Sequence, residues 1–333
     1  MTQTVVVTGA SAGVGRAVAR AYAERGGRLA LLARGEAGLA AAERDCRERG
    51  AADVRTYRVD VADAGAVQQA ADDVAHRWGR IDVWVNNAMV SVFAPTWEIT
   101  AAEFQRVTEV NYLGTVHGTL AALRHMRAHG RGAIVQVGSA LAYRGIPLQS
   151  AYCASKHAIQ GFNDSLRAEL LHDCPGVRLS MVQLPAINTP QFSWVRTRLP
   201  RHPQPVPPIF APEVAARAIR WAADHGVREL NVGNPTWRAR LGNVLFPGLL
   251  DRKLARDGYD SQQTETPIDP ATWRDNLDRP GDQERDHGAA GVFGDRARRR
   301  SAALWVGTHK PALSGLAAAG LSVVLGAFVR RRG

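Results

Sequence analysis

The sequence predicts an α/β fold, a doubly wound parallel sheet in a single domain with a C-terminal extension. Three observations predict it. Short apolar runs alternate with helix-patterned stretches as far as residue 232, most runs are apolar throughout rather than at every second position, and the first leads straight into a glycine-rich turn. Continuously apolar strands suit a parallel sheet buried on both faces. A repeated strand–helix order implies right-handed crossovers, with ligands held at the C-terminal ends of the strands.

The first strand, residues 5–7, enters the turn Thr8-Gly9-Ala10-Ser11-Ala12-Gly13-Val14-Gly15, and a helix follows over 14–25. Glycines at 9, 13 and 15 allow a tight turn, a close backbone approach to a pyrophosphate, and close helix–strand packing. The helix N-terminus adds free N–H donors. A glycine-rich turn alone is weak, but this one has a strand before it and a helix after it. Thr8, Gly9, Ser11, Gly13, Val14 and Gly15 are therefore expected at a dinucleotide.

The second strand, 29–32, ends in Ala33-Arg34, where an acid often meets ribose hydroxyls. A guanidinium there suits a 2′-phosphate by charge and by fork geometry, which favours NADP(H) over NAD(H). A solvated loop arginine is the competing reading, and Glu36 stands close by. A helix over 36–49 and a strand over 54–59 lead to Asp60-Val61, placed for an adenine amino group. A helix over 64–78 and a strand over 81–85 lead to Asn86-Asn87-Ala88. The Asn87 amide can serve neighbouring backbone or the cofactor equally well.

The long helix expected over 101–128 carries Asn111, a polar residue on a face that should point inward. It could hold a water that links Lys156 to solvent, or merely bend or cap the helix. The strand at 133–137 leads to Ser139, whose hydroxyl can bond a substrate oxygen or cap the turn. On the helix over 151–172, Tyr152 and Lys156 are four residues apart and share a face. An ammonium and an oxidised nicotinamide beside a phenol lower its pKa from roughly 10, as a general acid/base near neutrality requires. A strand over 177–184, a helix over 212–225 and a strand over 229–232 complete the alternation.

Taken in order and at these separations, these motifs resemble the classical short-chain dehydrogenase/reductase family, from Thr4 to about Val232. The resemblance rests on TGASAGVG, Asp60-Val61, NNA at 86–88, Asn111, Ser139 and YCASK at 152–156. It implies the Rossmann fold and an NAD(P)-dependent oxidoreductase acting on alcohols or carbonyls. Tyr152 would be the proton donor and acceptor, Ser139 would orient the carbonyl, and Lys156 would also bind the nicotinamide ribose. Asn111 would maintain a proton relay. Pro185-Ala186-Ile187-Asn188-Thr189 resembles the segment that meets the nicotinamide, with Pro185 and Thr189 at the cofactor. Met89 and Ala186 depart from the family's usual glycines. The resemblance also implies a homodimer or homotetramer built on the two longest helices.

The formal charge is +11, and much of the excess lies near the C-terminus, at Arg296, Arg298–Arg300, Lys310 and Arg330–Arg332. A basic tail without interleaved stacking aromatics argues against a nucleic-acid partner. Three cysteines with no paired or ligand spacing argue against a disulfide framework and a structural metal. The N-terminus is expected to belong to the fold rather than to a leader.

The chain divides into a catalytic domain over 1–250, a polar, charged linker over 251–311, and an apolar helix with a basic end over 312–333. Residues 312–329 lack charge and are just long enough to be weighed as a membrane anchor, against a surface-lying or a packing helix. The expected location is the cytoplasm, with tethering to a membrane if that helix anchors. Residues 189–212, rich in proline, arginine and aromatics, are expected over an apolar or bulky substrate or as an exposed loop. A binding protein that senses the dinucleotide without turnover is the competing function, opposed by the intact Ser139, Tyr152 and Lys156.

Overall fold

The computed structural model describes residues 2–309. Its central sheet holds β1 (Thr4–Thr8), β2 (Arg28–Ala33), β3 (Asp53–Arg58), β4 (Val83–Asn86), β5 (Gly132–Ser139), β6 (Val177–Leu184) and β7 (Glu229–Asn231). All seven strands are parallel, in the order β7-β6-β5-β4-β1-β2-β3. The order reverses between β1 and β4, and that switch opens a crevice at the strands' C-terminal ends.

The apolar runs are continuous because the sheet has a core on each face. Successive side chains of a strand point to opposite sides. Val5, Val7, Leu29 and Leu31 enter one core with α1 (Gly13–Ala23), α2 (Glu36–Glu48) and, further along the chain, α7 (Pro212–His225). Val6, Ala30 and Leu32 enter the other with α3 (Ala64–Trp78), α4 (Ala101–Thr108), α5 (Gly114–Ala128) and α6 (Ser150–Asp173). Local chemistry sets the helix ends. Asp63 accepts from the Ala66 N–H at the start of α3, and Gly79 ends that helix in the left-handed region at φ 82°. At α4, Thr100 and Glu103 form a reciprocal capping box.

Two features differ from the sequence reading. The helix expected over 101–128 is interrupted by a π-helical turn, Glu109–Leu113, which widens the backbone at Asn111. From about residue 235, where the rhythm was expected to stop, stand α8 (Asn234–Leu245) and α9 (Pro247–Asp257), each with proline in its first turn.

The stretch read as a linker is packed against the domain. Gln263–Pro267 pairs antiparallel with Arg201–Pro203, and Leu277, 0% exposed, enters the core beside α3 to α6. The apolar segment 312–329 lies outside the described residues. Among the described residues, no helix is long and apolar enough to cross a membrane.

Candidate active site

A cleft of about 420 Å³ opens at the switch point. Gly9, Ser11, Gly13 and Val14 form its floor, Arg34, Asp60 and Val61 one end, and Ser139, Tyr152 and Lys156 the other, with Asn87, Ala88, Pro185 and Thr189 between. Thr8, Gly15 and Asn111 stand behind this wall. The Thr8 hydroxyl accepts from the N–H groups of Asn87 and Ala88 at 2.9 and 3.1 Å, tying the ends of β1 and β4 together.

The glycine-rich turn suits a nicotinamide dinucleotide, although the Gly13 N–H, expected free, donates to the Gly288 carbonyl of the extension at 3.1 Å. Gly13 holds φ +59° where the chain turns into α1, and a Cβ at Gly15 would lie 2.1 Å from the Gly9 carbonyl oxygen. Only hydrogen on those α-carbons lets the turn pack this tightly at the helix N-terminus. Asn86 is a structural residue, joined to Trp84, Thr119 and Gln136 in a buried network. The Asn87 amide donates to the carbonyl oxygens of Thr8 and Gly9 at 3.0 and 3.2 Å, so its side chain braces the turn while lining the cleft. One oxygen of Asp60 accepts from the Ala62 N–H at 3.0 Å and the other from Arg106.

At the other end, the Ser139 oxygen accepts from the Leu141 N–H at 3.1 Å, which leaves its own hydrogen available to donate. The Lys156 ammonium donates to the Val137 carbonyl at 2.8 Å and lies 5.5 Å from the centroid of the Tyr152 ring. Burial pulls the Lys156 pKa down to about 8. Burial also pushes the Tyr152 phenol above its ordinary range, and the Ser139 hydroxyl opposes that shift. The downward shift of Tyr152 expected from the sequence is therefore not a property of the protein groups alone.

Asn111 is 1% exposed, and both of its amide hydrogens are committed. It accepts from the Val90 N–H at 2.8 Å and donates to the Val90 carbonyl and to Ser155 Oγ, both at 3.0 Å. Ser155 in turn donates to the Tyr152 carbonyl at 2.7 Å. The chain Val90–Asn111–Ser155–Tyr152 anchors the first turn of α6 through the π-helical swelling. A water at Asn111, as the sequence suggested, would meet oxygen lone pairs rather than the amide hydrogens.

Arg34 lines the cleft with its guanidinium already bonded within the chain. Its guanidinium donates to the carbonyls of Leu277 and Asp278 at 3.0 and 3.3 Å, and to that of Asn276. The segment 189–212 does roof the cleft, through Phe192, Trp194, Pro205 and Val206 among others, whereas Arg196 and Arg198 turn away to bind carboxylates, Glu103 among them.

Sequence reasoning missed the contribution of the extension, where Asn276, Pro280, Gly281 and Asp282 complete the wall. It also missed Gln149, buried at the start of α6 and bound to Gln262 at 2.6 Å. The glycine pair Gly35 and Gly38 at the start of α2 was the available signal, because both are small where the extension presses closest.

Fold and cleft together define a dinucleotide-binding α/β oxidoreductase. The short chain dehydrogenase family profile matches residues 3–199, and the chain belongs to that family. It is 34% identical over 270 residues to an uncharacterized oxidoreductase, YxnA, of Bacillus subtilis, covering 80% of this chain and 76% of the relative. Among solved structures, an alcohol dehydrogenase from the archaeon Thermococcus sibiricus, complexed with 5-hydroxy-NADP, superposes with a TM-score of 0.60 at 30% identity. That match covers 69% of this chain and 96% of the other. An NAD+-bound xylitol dehydrogenase superposes with a TM-score of 0.53 at 32% identity, over 56% of this chain and 70% of that one. Both forms of the dinucleotide thus occur among the relatives.

Proposed function

We propose that the chain interconverts an alcohol and a carbonyl compound with NAD(P)(H), using Tyr152 as general acid/base. The observation that carries this reading is the convergence of Ser139, Tyr152 and Lys156 on one wall of the cleft that the glycine-rich turn floors. When bound, the nicotinamide supplies or accepts the hydride.

The protein's own groups handle the oxygen and its proton. Ser139 turns its hydrogen from the Tyr152 phenol to the substrate oxygen and holds it. Tyr152 gives that oxygen a proton during carbonyl reduction and removes it during alcohol oxidation. The Lys156 ammonium, charged below its pKa of about 8, stabilises the phenolate left behind and binds the nicotinamide ribose. Asn111 is a positioning residue, acting through Ser155 on the turn that carries Tyr152. Phe192, Trp194 and Val206 line an apolar roof suited to a lipophilic substrate.

The catalytic domain in this reading spans 1–250, with 251–311 as an extension that shapes the cleft. Leu120 on α5 and Leu171 on α6 are 56% and 71% exposed, which supports pairing of these helices in a homodimer or homotetramer. The working location is the cytoplasm, with membrane contact through 312–333. The charge of Arg34 by itself favours NADP(H), but its fork is committed to the extension, and cofactor choice passes to what lies beside it.

The test is a screen of the purified chain against alcohols and carbonyls with both dinucleotides, following absorbance of the reduced nicotinamide. Turnover of an apolar alcohol–carbonyl pair is the expected result. Dinucleotide binding with no turnover of any compound would favour the sensing protein instead.

A further inference from the structure

We propose that Asp282, contributed by the C-terminal extension, makes this cleft select NAD(H) over NADP(H). The inference rests on the reading of the cleft as a dinucleotide site, and it reverses the choice that Arg34 suggests from sequence.

In a doubly wound sheet the adenosine ribose meets the end of β2 and the start of α2, where an anion can be gripped by free N–H groups and a neighbouring cation. Each of those grips is already engaged here. The Arg34 fork donates to three consecutive carbonyls, Asn276 to Asp278. The first-turn N–H groups of Ala37 and Gly38 donate to the carbonyls of Gln283 and Asp282 at 3.2 and 3.1 Å. A 2′-phosphate would find its usual donors taken by the extension.

The same place also holds a negative charge. The Asp282 side chain is wedged against α2 so closely that a Cβ at Gly35 would lie 1.7 Å from one carboxylate oxygen, and a Cβ at Gly38 2.1 Å from the other. Asp282 is 5% exposed and lines the cleft, and its Oδ2 has no hydrogen-bond partner. Ribose hydroxyls, as donors, suit a carboxylate on the cleft wall. A phosphate at the 2′ position brings like charge against the carboxylate and offers no hydrogen in return. The acid that an NAD-selective cleft needs thus comes from a segment about 250 residues beyond β2.

The test is a binding titration of the full chain with NADH and with NADPH, read by nicotinamide fluorescence without substrate. The wild type is expected to bind NADH about tenfold or more tighter than NADPH. Asp282→Ala, and Asp282→Asn as the shape-preserving variant should the first fail to fold, are expected to lower that preference about tenfold. Wild-type binding of NADPH as tight as or tighter than NADH would overturn the proposal, as would a preference that persists in a folded variant. Failure of the wild type to bind either dinucleotide would instead sink the oxidoreductase reading, and this proposal with it.

Discussion

Lys156 holds its ammonium 5.5 Å from the centroid of the Tyr152 ring while donating to the Val137 carbonyl at 2.8 Å. The bond to β5 fixes the ammonium from one side and the helical spacing presents the ring from the other. A cation is therefore kept where a phenolate would form.

Removing the phenol oxygen should stop proton transfer and little else. Tyr152→Phe is expected to lower kcat/KM about 10²- to 10⁴-fold, the usual worth of a positioned acid/base. Affinity for the reduced dinucleotide should stay close to that of the wild type. Steady-state rates together with a fluorescence titration check both; a variant that keeps its turnover would remove Tyr152 from the mechanism.

Lys156 makes a prediction with a pH sign. It is 4% exposed, and burial lowers its pKa to about 8, whereas an unfolded lysine titrates near 10.4. Between these values the unfolded chain binds more protons, so the contribution of this group to stability rises with pH and is at its least below about 8. Relative to the wild type, Lys156→Met should be on the order of 3 kcal/mol more favourable at about pH 7 than at about pH 10.5. Urea unfolding at the two pH values measures the difference. A variant effect that is flat with pH would show that the lysine does not titrate in this window.

Asn111 should matter through structure before chemistry. Asn111→Ala removes three buried hydrogen bonds and leaves the Val90 backbone groups unpaired, which should cost about 2–4 kcal/mol. Denaturant melts give the cost directly. A loss below about 0.5 kcal/mol would mean that the π-helical turn holds its shape without this amide.

Leu277 pins the extension to the domain. Leu277→Ala creates a cavity where the side chain is 0% exposed and should cost about 2–5 kcal/mol locally. Hydrogen exchange is expected to quicken in residues 276–288 while β1 stays protected. Equal protection in variant and wild type would show that the carbonyl bonds to Arg34 and α2 hold the extension unaided.

Sequence alone determined the alternating elements, the parallel sheet and which residues gather at the cleft wall. That follows from local physics. A strand buried on both faces must be apolar throughout, a phosphate-approaching turn must lack side chains, and two residues four apart on a helix must share a face. Ser139, Tyr152, Lys156 and the turn from Thr8 to Gly15 were legible for that reason.

Only the tertiary structure decided what surrounds Arg34 and Asn111. Their partners, Leu277 and Val90 among them, lie 243 and 21 residues away, and no local period records which side chain meets which backbone. A polar, proline-bearing stretch has the composition of a solvated linker whether or not one buried leucine and a row of carbonyls dock it. The Arg34 end of the cleft was settled by that long-range docking, because charge in a sequence gives a residue's capacity to bind and folding decides what it is already bound to.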